Sequence, residues 1–209
     1  MVQLDPDAVL WSAPAAERDG RPLLVTMHGR GSDEQDLFAL APALPPQYVV
    51  AAVRAPLAEG AGWSWWQTVT SGDPEPERVD AAAAAVLTWL DALPFAPSLI
   101  GTLGFSQGGA MATHLLRREP GRFAFAVNLA GFAVRGEQPG DAMLALSRPP
   151  VFWGRGAADP LFSAEIVART EPWLAAHTAA ETHVYPGLGH SISREELDDV
   201  AAFLTSLVE

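Results

Sequence analysis

A serine flanked by glycines lies in segment 104–109, which reads Gly-Phe-Ser-Gln-Gly-Gly. The apolar residues 99–103 before it predict a short buried strand, and residues 110–118 after it predict a helix. Gly-x-Ser-x-Gly between a strand and a helix is typical of a sharp turn that presents a nucleophilic serine. Glycine is required because a side chain two positions before or after Ser106 would crowd the neighbouring elements. The pattern predicts that Ser106 is a nucleophile.

Two residues late in the chain have the types needed to activate this serine. A serine hydroxyl needs a base to accept its proton, and the base needs a carboxylate to orient it. Asp159 and His190 each follow a predicted strand in a glycine-rich loop, whereas the only rival loop acid at this point in the chain is Asp141. The order Ser106, Asp159, His190 is that of the α/β-hydrolases and differs from the orders of chymotrypsin and subtilisin. We therefore expect these three residues to form a catalytic triad.

Acyl transfer also needs donors aimed at the oxyanion of the tetrahedral intermediate. One donor is expected to be the backbone amide of Gln107, directly after the nucleophile. The second should come from the loop after an early strand, His-Gly-Arg-Gly at 28–31, where we assign the Arg30 amide. His28 itself is expected to brace this loop by hydrogen bonding. Dinucleotide binding by the loop is excluded because the third glycine of that motif would fall at Glu34.

The overall pattern alternates apolar strand runs with helical runs. Such alternation predicts an α/β fold with a mostly parallel central sheet and helices on both faces, whose sites form at the carboxyl ends of strands. The last helix is expected to begin with a capping box of Ser193 and Glu196. In the helix over 163–176, Pro172 predicts a kink or a restart. Segment 54–77 is predicted to be a long connection without regular structure. Connections of this length are usually functional or disordered, and its three tryptophans argue against disorder.

Length and charge limit the classes of function. The 209 residues suit a single domain over 1–209, and nearly half of them are apolar, which predicts a sizeable core. The formal net charge of −12 argues against a nucleic-acid partner, because phosphate binding needs a basic face. It gives no help in holding an anionic membrane surface either.

Two residue types are absent from the sequence, and their absence excludes several kinds of catalysis and metal binding. The chain has no cysteine, which removes disulfides, thiolate nucleophiles and sulfur-ligated metals. It also has no lysine, since all 13 basic residues are arginine, so Schiff-base chemistry and a Ser-Lys dyad are excluded. We expect no cofactor and no metal.

The sequence also carries expectations about location and partners. No signal peptide is visible at the N-terminus, and no stretch approaches the roughly 18 apolar residues of a membrane span. We therefore expect a cytoplasmic protein without a stable membrane anchor, whose partner is a small-molecule ester substrate. The oligomeric state, a homodimer included, is left open.

Taken together, these motifs resemble the phospholipase/carboxylesterase family of small α/β-hydrolases, which includes acyl-protein thioesterases. The matching pieces span nearly the whole chain and lie at residues 28–31, 63–66, 104–109, 156–160 and 187–190. The resemblance implies an α/β-hydrolase fold without a cap domain, the triad Ser106-Asp159-His190, an oxyanion hole from the Arg30 and Gln107 amides, and hydrolysis of carboxylic or thioesters.

The pocket departs from the family pattern at two places. Arg30 stands where an apolar residue is expected, and Leu161 and Phe162 replace a more usual Val-Pro. Trp65 and Trp66, together with Leu161 and Phe162, are candidates for an apolar acyl-binding surface. The alternative for each tryptophan is that its ring pins the loop to the core.

The function predicted from these residues is that of a serine carboxylesterase with an acyl-enzyme on Ser106. A thioesterase or lysophospholipase acting on long acyl chains is the alternative within the enzymes. A non-catalytic ligand-binding protein of the same fold is the third hypothesis, and an intact triad argues against it.

Overall fold

The computed structural model describes residues 2–67 and 74–208. Its strands are β1 Leu10–Trp11, β2 Leu23–Met27, β3 Val49–Val53, β4 Leu57–Glu59, β5 Gly62–Ser64, β6 Ile100–Phe105, β7 Phe125–Leu129, β8 Pro150–Gly156 and β9 Ala179–Tyr185. Its α-helices are α1 Glu34–Phe38, α2 Pro76–Asp91, α3 Gln107–Arg118, α4 Asp141–Ser147, α5 Ala164–His177 and α6 Arg194–Ser206. Short 3-10 helices cover Pro6–Ala8, Ala15–Glu17 and Ala41–Ala43.

Within the described residues, seven strands form the central sheet in the order β1-β3-β2-β6-β7-β8-β9. All neighbours pair in parallel except β1, which runs antiparallel to β3. Strands β4 and β5 form a separate antiparallel hairpin. The carboxyl ends of β2, β6, β8 and β9 therefore lie at one edge of the sheet, where their loops can meet.

Both faces of the sheet are covered, as predicted. Along β8, Val151 and Trp153 face one core and Phe152 faces the other. The first core includes buried residues of α2, α3 and α5, and the second includes residues of α1 and α6. Parallel strands buried on both faces explain why the strands read as continuous apolar runs.

Three features of the elements differ from the sequence prediction. Helix α5 is one helix from Ala164 to His177 with Pro172 inside it, so of the two predicted alternatives, a kink or a restart, the restart does not occur. Segment 54–77 contains the β4–β5 hairpin, while its residues 68–73 lie outside the described part. Helix α4 was not predicted, and it occupies the 20-residue connection 130–149 between β7 and β8.

The rival acid Asp141 has a structural partner. It begins α4, and its carboxylate accepts hydrogen bonds from Arg117 Nε at 2.8 Å and Nη2 at 2.7 Å. The Arg117 guanidinium is buried and also donates to the carbonyl oxygens of Val134 and Gly136 at 2.6 Å each. A buried, bidentate ion pair of this kind fixes α4 against α3, so both Asp141 oxygens have a structural role.

Helix α6 begins with half of the expected capping box. The Ser193 hydroxyl accepts a hydrogen bond from the Glu196 amide at 3.0 Å, as predicted. The Glu196 side chain is 1% exposed and packs against Gly154 of β8 instead of reaching back to the cap. Its Oε1 has no hydrogen-bond partner among the described residues. The reciprocal bond of the box is therefore missing.

Glu196 is expected to make stability depend on pH. Burial raises the pKa of Glu196 from 4.5 to about 7, so the folded protein keeps a proton that the unfolded chain releases at lower pH. The free energy of unfolding should therefore fall as pH rises through that window. We expect Glu196→Gln, which cannot ionise, to raise the melting temperature at about pH 8 and to change it much less at about pH 4.

The matched control is Glu195→Gln on the same helical turn, because Glu195 is exposed. It should leave the melting temperature nearly unchanged at both pH values. An equal gain for Glu196→Gln at the two pH values would contradict the titration of Glu196.

Candidate active site

The turn at Ser106 has the geometry that the glycine pattern predicts. Ser106 lies between the end of β6 and the start of α3 with φ 55° and ψ −114°, a conformation that non-glycine residues rarely adopt. A Cβ on Gly104 would lie 2.0 Å from the Gly108 carbonyl oxygen, and one on Gly108 would lie 1.8 Å from that of Met27. Only glycine fits at either position, so the backbone holds the serine in a tight, strained turn.

Ser106, His190 and Asp159 form one line of hydrogen bonds. His190 Nδ1 lies 2.7 Å from Asp159 Oδ2, and His190 Nε2 lies 2.9 Å from Ser106 Oγ. Because an ionised carboxylate only accepts, Nδ1 is the donor to Asp159, and the neutral ring then has Nε2 free to accept the serine proton. The Asp159 carboxylate is buried, while the His190 side chain is 21% exposed toward the cleft.

The loops that carry Asp159 and His190 are joined to each other. The Ala158 amide donates to the Leu188 carbonyl oxygen at 2.9 Å, and the Ala157 amide donates to that of Tyr185 at the same distance. A Cβ on Gly156 would lie 2.1 Å from the Leu188 oxygen, so this approach requires glycine. The second oxygen of Asp159, Oδ1, accepts from the Leu161 amide at 2.9 Å. Backbone contacts therefore set both the spacing of the two loops and the plane of the carboxylate.

Arg30 and Gln107 line the same cleft as Ser106 and His190. Across residues 2–67 and 74–208, neither amide donates to another residue. The backbone of Gly29 lies close to the nucleophile, because a Cβ there would be 3.6 Å from Ser106 Cβ. The Gln107 amide also belongs to the first turn of α3, whose positive dipole end favours negative charge. Arg30 and Gln107 thus line the cleft that contains Ser106, with backbone amides that have no partner among the described residues.

A cleft of about 1000 Å³ opens above the serine. Its lining contains both apolar and polar residues, and among the polar ones Arg30 Nε donates to Glu59 Oε1 at 2.6 Å. The large apolar residues of the lining are Trp66, Phe105, Phe132, Leu161, Phe162 and Ile166. Apolar side chains combined with polar groups are the usual lining of a small-molecule site.

Comparison with known proteins identifies the family. Residues 14–208 match the family described as Phospholipase/Carboxylesterase. The chain belongs to this family. Acyl-protein thioesterase 1 of Mycosarcoma maydis is 34% identical over 116 residues, which cover 50% of this chain and 46% of that protein. The chain spans less than half of the length of the first curated relatives, which are matched over 43% to 47% of their length.

Solved structures of the family share the fold. A Bacillus cereus carboxylesterase superposes with a TM-score of 0.80 at 21% identity, covering 95% of this chain and 93% of that chain. A Mesorhizobium loti carboxylesterase gives 0.77 at 22% identity and covers 97% of both chains. The fold of this family member is therefore the α/β-hydrolase fold, as predicted.

The two neighbouring tryptophans have different surroundings. Trp66 borders the cleft, but Trp65 is 1% exposed, lies in the core, and is not among the cleft-lining residues in the described part of the chain. The Trp65 indole Nε1 donates to the His28 carbonyl oxygen at 2.9 Å. The structure therefore corrects the assignment of Trp65 to the acyl surface: its ring pins the loop to the core.

Sequence reasoning missed several features of the site, among them two phenylalanine rings and the side-chain contacts of Gln107. Phe105 and Phe132 line the cleft, and the Phe105 ring packs 4.9 Å from the His190 ring, centroid to centroid. The Gln107 side chain accepts from the Trp65 amide at 3.0 Å and donates to the Trp66 carbonyl oxygen at 3.1 Å. Phe105 and Phe132 could have been found from their places at the carboxyl ends of β6 and β7. Nothing local in the sequence indicates the Gln107 contacts.

The remaining histidines have partners outside the triad. His28 bonds within its own loop, and His114 lies buried on α3 with Nε2 2.7 Å from Asp80 Oδ1. Burial lowers the pKa of His114 to about 4. His177 contacts the Trp173 carbonyl oxygen at the end of α5, and His183 contacts Glu181 on β9. In the described part of the chain, only His190 reaches the serine.

Among residues 2–67 and 74–208, no cluster of three or more histidines and carboxylates is placed to hold a metal ion. No described helix is long and apolar enough to cross a membrane.

Proposed function

We propose that this family member is a serine esterase that hydrolyses carboxylic esters through an acyl-enzyme on Ser106. The observation that supports it most is the continuous line of hydrogen bonds from Ser106 Oγ through His190 to the buried Asp159. In the first half-reaction, Oγ attacks the ester carbonyl carbon while His190 Nε2 takes its proton. Asp159 holds the ring in the tautomer that can accept this proton and stabilises the imidazolium that results.

The charge that develops on the carbonyl oxygen needs donors that are already in place. The Arg30 and Gln107 amides supply two at the edge of the cleft beside Ser106. When the tetrahedral intermediate collapses, the His190 imidazolium gives its proton to the leaving alcohol oxygen. A water then attacks the acyl carbon while His190 Nε2 takes its proton, which gives a second tetrahedral intermediate. When this intermediate collapses, the bond from the acyl carbon to Ser106 Oγ breaks and His190 gives the proton to Oγ, which releases the acid and restores Ser106.

Active-site labelling tests this proposal directly. A fluorophosphonate probe should label folded protein at Ser106, as located by mass spectrometry of the modified peptide. Heat-unfolded protein and Ser106→Ala should stay unlabelled. Saturable binding of apolar esters with no labelling and no turnover would instead support a non-catalytic binding protein.

The alternative reaction, hydrolysis of long-chain thioesters or lysophospholipids, draws on two observations. Relatives named acyl-protein thioesterase 1 match this chain, and several large apolar side chains line the cleft. Rates on p-nitrophenyl esters from acetate to palmitate, measured beside the matching thioesters, separate the two activities. A higher kcat/KM on the thioester at every chain length would replace the esterase proposal with the thioesterase.

Acyl-chain preference should depend on Phe162. Its ring lines the cleft and packs 6.4 Å from the Trp153 ring, centroid to centroid, so it is a fixed apolar surface. We expect Phe162→Ala to lower kcat/KM roughly tenfold for octanoate esters relative to acetate, which corresponds to the loss of a small apolar contact.

The matched control for Phe162 is its neighbour Leu161, which also lines the cleft but is 61% exposed. Because most of its surface stays in water, Leu161→Ala should change the same ratio much less. Equal losses on acetate and octanoate in Phe162→Ala would contradict an acyl-binding role for the ring.

A further inference from the structure

His28 has both ring nitrogens in buried hydrogen bonds that fix its tautomer. The residue directly follows β2 and is 1% exposed. Its Nε2 lies 3.0 Å from the Ala55 amide nitrogen, and its Nδ1 lies 2.7 Å from the Gly29 carbonyl oxygen. A backbone amide can only donate, so Nε2 accepts, and Nδ1 must carry the hydrogen that is donated to Gly29.

The carbonyl that accepts this bond belongs to the peptide group that presents the Arg30 amide. The Gly29–Arg30 peptide is planar and trans, so the direction of its C=O fixes the opposite direction of its N–H. A donor on the carbonyl oxygen also polarises the peptide and strengthens its N–H as a donor. The hydrogen bond from His28 therefore affects both the direction of the Arg30 N–H and its strength as a hydrogen-bond donor.

We propose that His28 is a positioning residue for the oxyanion hole, which it orients as a neutral imidazole protonated on Nδ1. The hydrogen-bond chain runs from the Ala55 amide through the ring to Gly29 C=O and ends at the Arg30 N–H. This inference rests on the proposed function, since it needs Arg30 to be an oxyanion donor. His28 would then affect the rate through the Arg30 amide, without contacting the substrate itself.

The surroundings of the ring support this assignment. Burial lowers the pKa of His28 below its ordinary value, which keeps Nε2 unprotonated and able to accept from Ala55. Trp65 joins this chain to the other oxyanion donor, because its indole donates to the His28 carbonyl oxygen at 2.9 Å and its amide donates to Gln107 Oε1 at 3.0 Å. The two halves of the hole are thus held by one buried network.

Two isosteric substitutions separate the roles of the two ring nitrogens. The side-chain amide of asparagine reaches the place of Nδ1, so His28→Asn keeps the donor to Gly29. The amide of glutamine reaches the place of Nε2, so His28→Gln keeps the acceptor for Ala55 and loses that donor. We expect His28→Gln to lower kcat about ten- to a hundredfold with KM nearly unchanged, the size of effect that misplaced catalytic groups produce. His28→Asn should retain most of kcat.

Inhibition by a trifluoromethyl ketone provides a second readout, because its bound adduct places an oxyanion in the hole. Its inhibition constant should rise in His28→Gln by the same factor by which kcat/KM falls. A merely structural histidine would instead make both variants lose kcat in step with their melting temperatures. Equal kcat in the two variants, or a change confined to KM, would overturn the proposal.

A ¹⁵N NMR spectrum of the wild-type protein tests the tautomer of His28 directly, so this part of the test does not depend on whether the variants fold. The ¹⁵N shifts of the His28 ring should show a protonated Nδ1 and an unprotonated Nε2 near neutral pH. The opposite tautomer or a charged ring would overturn the inference. Wild-type turnover and Ser106 labelling are measured first: if both are absent, the proposed function fails, and the tautomer measurement is still interpretable by itself.

Discussion

Replacing Ser106 with alanine is expected to lower kcat by on the order of 10⁴- to 10⁶-fold, the largest loss that any single substitution should cause. The substitution removes the hydroxyl whose proton His190 takes in the first half-reaction and whose oxygen forms the acyl-enzyme. The oxyanion donors and the cleft remain, so substrate binding and a small residual rate should survive. The measurement is kcat on a p-nitrophenyl ester, with KM or an inhibition constant for a product acid as the binding readout.

Ser147→Ala is a suitable control, because Ser147 is exposed at the end of α4, away from the cleft lining. It should match the wild type in rate and in melting temperature. Ser106→Ala should also fold, since alanine is the smallest change possible at this turn. Retention of kcat within about tenfold of the wild type would contradict a covalent role for Ser106.

The parts predicted best from the sequence are those that depend on local steric rules and on strand order. Gly104 and Gly108 are explained by the close approach of backbone carbonyls at 2.0 Å and 1.8 Å from their missing Cβ atoms. The positions of Asp159 and His190 could be inferred because parallel strands bring their carboxyl ends to one edge. Short apolar runs bounded by glycine-rich loops were enough to place those ends.

Side-chain direction in an irregular loop could not be predicted. Trp65 and Trp66 are adjacent and chemically identical, and both rings are buried in the core, yet among the described residues only Trp66 also lines the cleft. The difference depends on partners far along the chain, the His28 carbonyl oxygen and the Gln107 amide group. Composition and spacing carry no information about such contacts, because different conformations of the same loop could place either tryptophan ring on the cleft.

The same limit applies to buried polar groups. Ser193 and Glu196 have the spacing of a capping box, but packing against Gly154 directs the Glu196 carboxyl into the interior. Asp141 reads as a loop acid, whereas in the structure it begins α4 and is held by Arg117. In each case a contact with another element overrides a local pattern, which is the usual way in which tertiary packing outweighs propensity.

Asp159→Asn is expected to lower kcat on the order of 10⁴-fold while leaving the fold intact, because it traps His190 in the wrong tautomer. The Leu161 amide donates to Asp159 Oδ1 at 2.9 Å, so the amide oxygen of asparagine should take that position. The amide nitrogen then lies where Oδ2 now accepts from His190 Nδ1 at 2.7 Å. Two donors cannot face each other, so the proton must move to Nε2.

A ring protonated on Nε2 cannot accept the proton of Ser106, and the serine loses its base. Asp141→Asn, the same change at the rival acid, is the control. It weakens the ion pair with Arg117 and should lower the melting temperature. It should leave kcat nearly unchanged, because Asp141 is not among the described residues that line the cleft and its carboxylate is bonded to Arg117 at the far end of α3 from Ser106. If kcat instead fell further in Asp141→Asn than in Asp159→Asn, the assignment of the triad acid would be wrong.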